Sequence, residues 1–189
     1  RKSALGSRVA ASTERILLEP QNNYFEFSMK LAGTTTGVIS LSHPFYNFKD
    51  IKVQGRAVRV HLLNSAWTSV LHEAPDLRFP LEELQFPTEP TADFSITVMH
   101  HPYNWFISPE VRRDLRDKVE SNSDLVLTGH EHENELSART VDQGPNLSYL
   151  EGGVLQEGER HNLCSFNVIR LDFASDTRLI KRYTWTGDY

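Results

Sequence analysis

Between residues 94 and 129, apolar and polar positions fall into three blocks of different period. "FSITVM" (94–99) is a short apolar run. "SPEVRRDLRDKVES" (108–121) places Val111, Leu115 and Val119 four residues apart, and "DLVLTG" (124–129) is a second apolar run. A four-residue recurrence puts one apolar face on a helix, and short apolar runs bounded by turn residues suit buried strands. Ser108 is placed to cap that helix, Pro109 takes its first position and Glu110 its first turn. Strand, helix and strand in so short a stretch predict a βαβ unit with parallel strands.

The remaining pattern is also mixed. Residues 3–18 carry Leu5, Val9, Ile16 and Leu17 and predict a helix. Residues 24–31, "YFEFSMKL", alternate and predict a strand. A turn at 33–37 leads to a strand ending before Pro44, and "AVRVHLL" (57–63) predicts another. Residues 72–93, rich in proline and acids, read as a surface connection with one short helix. "LSYLEGG", "LCSFNVIRLDF" and "RLIKRYTWTG" predict three further strands, the last two a hairpin around "ASDT". The pattern is that of one α/β domain, without internal repeats or low-complexity tracts.

Composition narrows the class. The chain has 189 residues, 39% of them hydrophobic and 24% charged, with a net charge of −5. It is long enough for one real core. The acidic balance argues against a broad nucleic-acid surface and leaves a local one open. The single cysteine, Cys164, has no partner for an internal disulfide, which points to a reducing, cytoplasmic setting. No apolar run reaches the ~18–20 residues of a membrane-spanning helix.

Candidate chemistry sits at the two strand ends. "HHP" (100–102) follows the first strand of the βαβ unit and "GHEH" (129–132) follows the second. Ligands bind α/β sheets beyond the carboxyl ends of the strands, so His100, His101, His130 and His132 are expected to converge. Neutral imidazole is the commonest metal ligand. Gly129 lets the backbone approach whatever the histidines surround.

"VMHHPYNWF" followed by "LVLTGHEHENE" resembles the C-terminal half of the calcineurin-like metallophosphoesterases, over roughly residues 57–156. The resemblance implies a fold of two packed β-sheets flanked by helices. It implies two divalent transition-metal ions (Mn, Fe, Zn or Ni). His100 and His130 would bind one of them and His132 the other. Such ions, roughly 3.5–4 Å apart, activate a bridging water and neutralise a phosphoryl group under in-line attack. His101 is then a catalytic or supporting residue beside the ligands. Asn104 and Asn64 become substrate-binding candidates at the rim, and the substrate is a phosphomonoester or phosphodiester.

The chain departs from that family in its first hundred residues. No D-x-H, G-D-x-x-D or G-N-H-D/E motif precedes the H-H-P; the lone Gly-Asp pair is Gly187-Asp188. With the start at Arg1, the expectation is that residues 1–189 are the C-terminal part of a single domain. On that reading an N-terminal segment of the same protein brings the carboxylate ligands, and this chain alone is inactive. The competing readings are a metal-free interaction scaffold on the same fold and a structural zinc site, the latter disfavoured by the single cysteine. His43, His61, His72 and His161 read as ordinary histidines, and Glu131, Glu133 and Glu135 as a solvated acidic loop.

Overall fold

The computed structural model describes residues 11–34, 43–72, 74–131, 136–140, 146–154 and 164–185. Helix α1 spans Ala11–Leu18 and α2 Asn22–Thr34. They are followed by strands β1 (Tyr46–Val53), β2 (Arg56–Leu63) and β3 (Phe94–Met99), and by helix α3 (Pro109–Glu120). Strands β4 (Leu125–Thr128), β5 (Leu136–Thr140), β6 (Asn146–Glu151), β7 (Ser165–Asp172) and β8 (Thr177–Thr184) complete the order.

Strands β1 to β6 form one mixed sheet in the order β1-β2-β3-β4-β6-β5, and β7 and β8 form a separate antiparallel pair. The βαβ unit is present as expected. β3 pairs parallel with β4 through Ile96–Leu125, Thr97–Val126 and Val98–Leu127, and β2 and β6 extend the parallel set on either side. The Ser108 hydroxyl accepts the Val111 backbone N–H, so the predicted cap forms. β1 folds back on β2 through Gln54 and Gly55, both at positive φ (51° and 82°). That backbone suits a two-residue hairpin, and β1 itself was not anticipated; nor was β5.

The core lies on one face of the large sheet. Leu63, Met99, Val126 and Leu147 pack there against Leu115 and Val119 of α3. Residues 72–93, read as a surface connection, contribute Leu77, Phe79 and Leu84 to this core, each fully buried. Their apolar side chains are spaced among prolines and acids, so no helical or strand period betrays them. The opposite face carries Val60, Leu62, Ile96, Val98 and Leu127, all half-buried. Part of that side is met by the β7–β8 pair: Arg178 donates to the Asp124 carbonyl at 2.8 Å and lies over the Phe94 ring.

One further expectation is met where the chain is described, and another changes. The predicted helix at 3–18 is described from Ala11 onward. The strand expected at 24–31 is instead part of α2. Its more buried positions, Phe25 and Ser28, are three residues apart, a spacing that belongs to a helix and not to the alternation of a strand. A helix closes its own backbone hydrogen bonds, whereas a strand needs a neighbour. Residues 35–42, where a strand was expected before Pro44, lie outside the described residues. Among the described residues no helix is long and apolar enough to cross a membrane.

Candidate metal centre

β3 and β4 end side by side, and the chain beyond each end supplies the histidines. The two ends are tied directly: the Gly129 backbone N–H donates to the His100 carbonyl at 2.9 Å. His100 Nε2 and His130 Nδ1 lie 3.2 Å apart. His101 completes the group, with ring centroids 4.7 Å from His100 and 4.5 Å from His130. One ring nitrogen from each of the three falls within 4.8 Å of the others. His132 lies outside the described residues, as do Glu133, Glu135 and His161.

The spacing suits a cation. Imidazole ligands bind first-row metals at ~2.05 Å, and a tetrahedral angle then sets two ligand nitrogens ~3.3 Å apart. The donor set of imidazoles matches the divalent transition metals rather than Mg or Ca. His100 is exposed and His130 half-buried, so an ion can reach them; His101 is 1% exposed and sits behind both.

The backbone conformation that needs explaining belongs to His130, not to Gly129. His130 has φ 77°, a left-handed conformation costing roughly 1–2 kcal/mol for a residue with a Cβ. A Cβ built on Gly129 would meet the His100 ring at 3.5 Å, an ordinary contact. Strain of this kind persists only where neighbours hold it, and the neighbours are visible. The Trp105 ring stands edge-on to His130 with centroids 4.1 Å apart.

Glu131, expected in a solvated loop, is half-buried and used. Its Oε1 accepts from Asn104 Nδ2 at 2.7 Å and from Trp105 Nε1 at 2.8 Å. Its own backbone N–H donates to the buried Glu151 carboxylate at 3.2 Å. The loop after β4, the short turn Tyr103–Trp105 and the end of β6 are thus laced together around His130. Asn104 is exposed, and its amide is engaged by Glu131.

Asn64 stands farther from the chemistry than its place in the sequence suggested. Its Nδ2 donates to Gln21 Oε1 at 2.7 Å and to the Pro44 carbonyl at 2.9 Å. It lines a cleft of about 580 Å³ that reaches His100 and Gly129, with Leu62, Val98 and Leu127 on the sheet side. Its neighbour Ser65 touches the site instead. Ser65 Oγ is 3.1 Å from the His100 backbone N, 3.0 Å from that of His101 and 3.0 Å from His101 Nδ1. Ser65 and Glu151 were not singled out from the sequence. The signal available for Ser65 was a small hydroxyl residue just past a strand that neighbours β3.

The other histidines separate from this group. His61 is buried and bonded to the Tyr46 hydroxyl at 2.8 Å. His43 receives the backbone N–H groups of Phe45 and Tyr46 on its Nδ1, and His72 is exposed. A second cleft, of about 620 Å³, opens among Arg59, His61, Asp117 and Asp124 and contains none of the clustered rings.

No protein-family model matches the chain, and no curated protein matches it. Among solved structures, it is similar to the crystal structure of a hypothetical protein from Thermus thermophilus. The two are 17% identical with a TM-score of 0.40, over 73% of this chain and 61% of that one. The chain therefore spans less than two thirds of that protein's length.

Proposed function

We propose that this protein hydrolyses a phosphoester, either a monoester or a diester, at a centre of two divalent transition-metal ions. His100 and His130 share one ion, and His132, outside the described residues, serves the other. The observation that carries the reading is the 3.2 Å approach of His100 Nε2 to His130 Nδ1 at the carboxyl edge of parallel strands. It agrees with the resemblance of the H-H-P and G-H-x-H motifs to the metallophosphoesterases. When bound, the ions would supply Lewis acidity and offset the charge of the phosphoryl oxygens.

The chain's own residues hold and orient. His100 and His130 present their nitrogens together. Trp105, through Glu131, keeps the His130 ring in place. Asn104 stands at the rim where a substrate enters. Neutral imidazoles do not offset two divalent charges, so the centre takes its carboxylates from residues outside those described. The same reading pairs the large sheet with a second sheet, of which β7–β8 is part, as a sandwich.

Turnover of a chromogenic phosphodiester and phosphomonoester by the complete protein decides the matter. Activity should vanish on chelation, return with Mn²⁺ or Zn²⁺, and be lost in His100→Ala while circular dichroism stays unchanged. Full turnover by His100→Ala in a chelator would refute the proposal. A folded protein that binds no metal would favour the scaffold reading.

A further inference from the structure

Ser65 is 1% exposed, and its hydroxyl meets three nitrogens. A serine oxygen has two lone pairs and one hydrogen. The backbone N–H groups of His100 and His101, at 3.1 and 3.0 Å, fill the two lone pairs. The hydroxyl hydrogen is what remains for His101 Nδ1, 3.0 Å away. Nδ1 then accepts, and a neutral imidazole accepting on Nδ1 carries its proton on Nε2.

We infer that Ser65 is a positioning residue that locks His101 in the Nε2–H tautomer. His101 thereby supports the cluster without being a metal ligand, although its ring lies within ligand distance of the other two. In this tautomer the Nδ1 lone pair is engaged and Nε2 bears a proton, so neither nitrogen offers a lone pair to a cation. The same hydroxyl holds the two peptide N–H groups on either side of the His100 Cα. Ser65 acts from just past β2, the strand paired with β3; a single hydroxyl thus fixes one ring and the backbone that carries the other. The alternative, a three-imidazole site that includes His101, is what distances alone would give. The accounting of lone pairs separates the two.

The metal half of this inference rests on the proposed function; the tautomer half does not. Long-range ¹H–¹⁵N correlation spectra of the uniformly ¹⁵N-labelled full chain report the tautomer, with His101 assigned by the loss of its signals in His101→Asn. The expected wild-type result is a single Nε2–H tautomer for His101, and a mixture of tautomers in Ser65→Ala. An Nδ1–H tautomer in the wild type, or an unchanged His101 spectrum in folded Ser65→Ala, overturns the assignment. If Ser65→Ala does not fold, the wild-type spectrum and His101→Asn still decide. Asparagine at 101 can accept the Ser65 proton but brings no imidazole. Titration of the wild type with Zn²⁺ alone, read in the same spectra, should leave the His101 Nε2–H correlations in place while the His100 and His130 nitrogens shift, because a ligating nitrogen cannot keep its proton. Loss of the His101 Nε2–H signal on saturation with Zn²⁺ would make His101 a ligand and end the inference. Absence of Zn²⁺ binding by the wild type would instead remove the proposed function and leave the tautomer to the spectra.

Discussion

His61 lies within the large sheet on β2, and His100, His101 and His130 lie just past the ends of β3 and β4 of the same sheet; the fold uses them in opposite ways. His61 is 2% exposed, stacks on Tyr46 at 5.9 Å and meets the Phe86 edge at 4.7 Å. Burial, assisted by the charge of Arg59, pushes its pKa down from 6.5 to about 4. It is a neutral core residue with one polar contact, and burial likewise pushes the Tyr46 hydroxyl up. The cluster instead lies just beyond strand ends, where the chain leaves the ladder and rings can face each other. A histidine inside a strand is enclosed by neighbouring strands and side chains. One beyond the strand end is enclosed only by loops, and loops can leave room for an ion.

The largest expected contrast is in turnover. On the proposed function, His130→Ala should lose activity on the order of a thousandfold, about 4 kcal/mol of barrier, with a melting temperature close to wild type. His61→Ala should do the reverse, losing stability and keeping metal affinity. Calorimetric melts beside phosphodiester assays of both variants test this. Equal effects of the two on turnover would erase the distinction.

Acid should act next most strongly, and on the core histidine. His61 has a folded pKa below its unfolded value, so the unfolded chain binds the proton first. Its contribution is present above pH 6.5 and is lost as pH falls from there through about 4. The loss at full protonation is of order 3 kcal/mol. Urea unfolding between about pH 7 and 4 should show this slope in wild type and a reduced one in His61→Phe. The same slope in both would assign the acid sensitivity elsewhere.

Tyr46→Phe should cost less, about 1–2 kcal/mol, by taking away the partner of His61 Nδ1. It should leave metal binding untouched, which titration with Zn²⁺ checks.

The smallest effect concerns backbone strain at His130. Glycine adopts φ 77° without cost and alanine does not. His130→Gly should therefore be more stable than His130→Ala by about 1 kcal/mol, read as the difference between two denaturation midpoints. Alanine equal to or above glycine would show that the loop relaxes to negative φ once the histidine is gone.

Much of this was legible in the sequence, for reasons that differ by residue. The βαβ unit and the Ser108 cap depend on patterns within a few residues, so the chain states them locally. That both histidine motifs sit at the same edge follows from the parallel strands: a motif just after each strand must lie at the same end. The distinction between the core histidine and the cluster was visible too, since His61 falls inside "AVRVHLL" and the others after their strands. The hairpin into β1 was missed because its turn is Gln54-Gly55, a weaker signal than Asn-Gly, and its strand alternates with charges on an edge.

The sequence by itself determined which side chains stand at the carboxyl edge of the sheet and what chemistry their types allow. Only the tertiary structure decided which nitrogen of each ring is engaged. Ser65 reaches His101 across 36 positions, Glu131 reaches Trp105 across 26, and Tyr46 reaches His61 across a hairpin. A hydrogen bond between residues so far apart imposes no period and no local composition on the chain. It is set by the distance between strands and loops once they have packed, and it becomes readable only there.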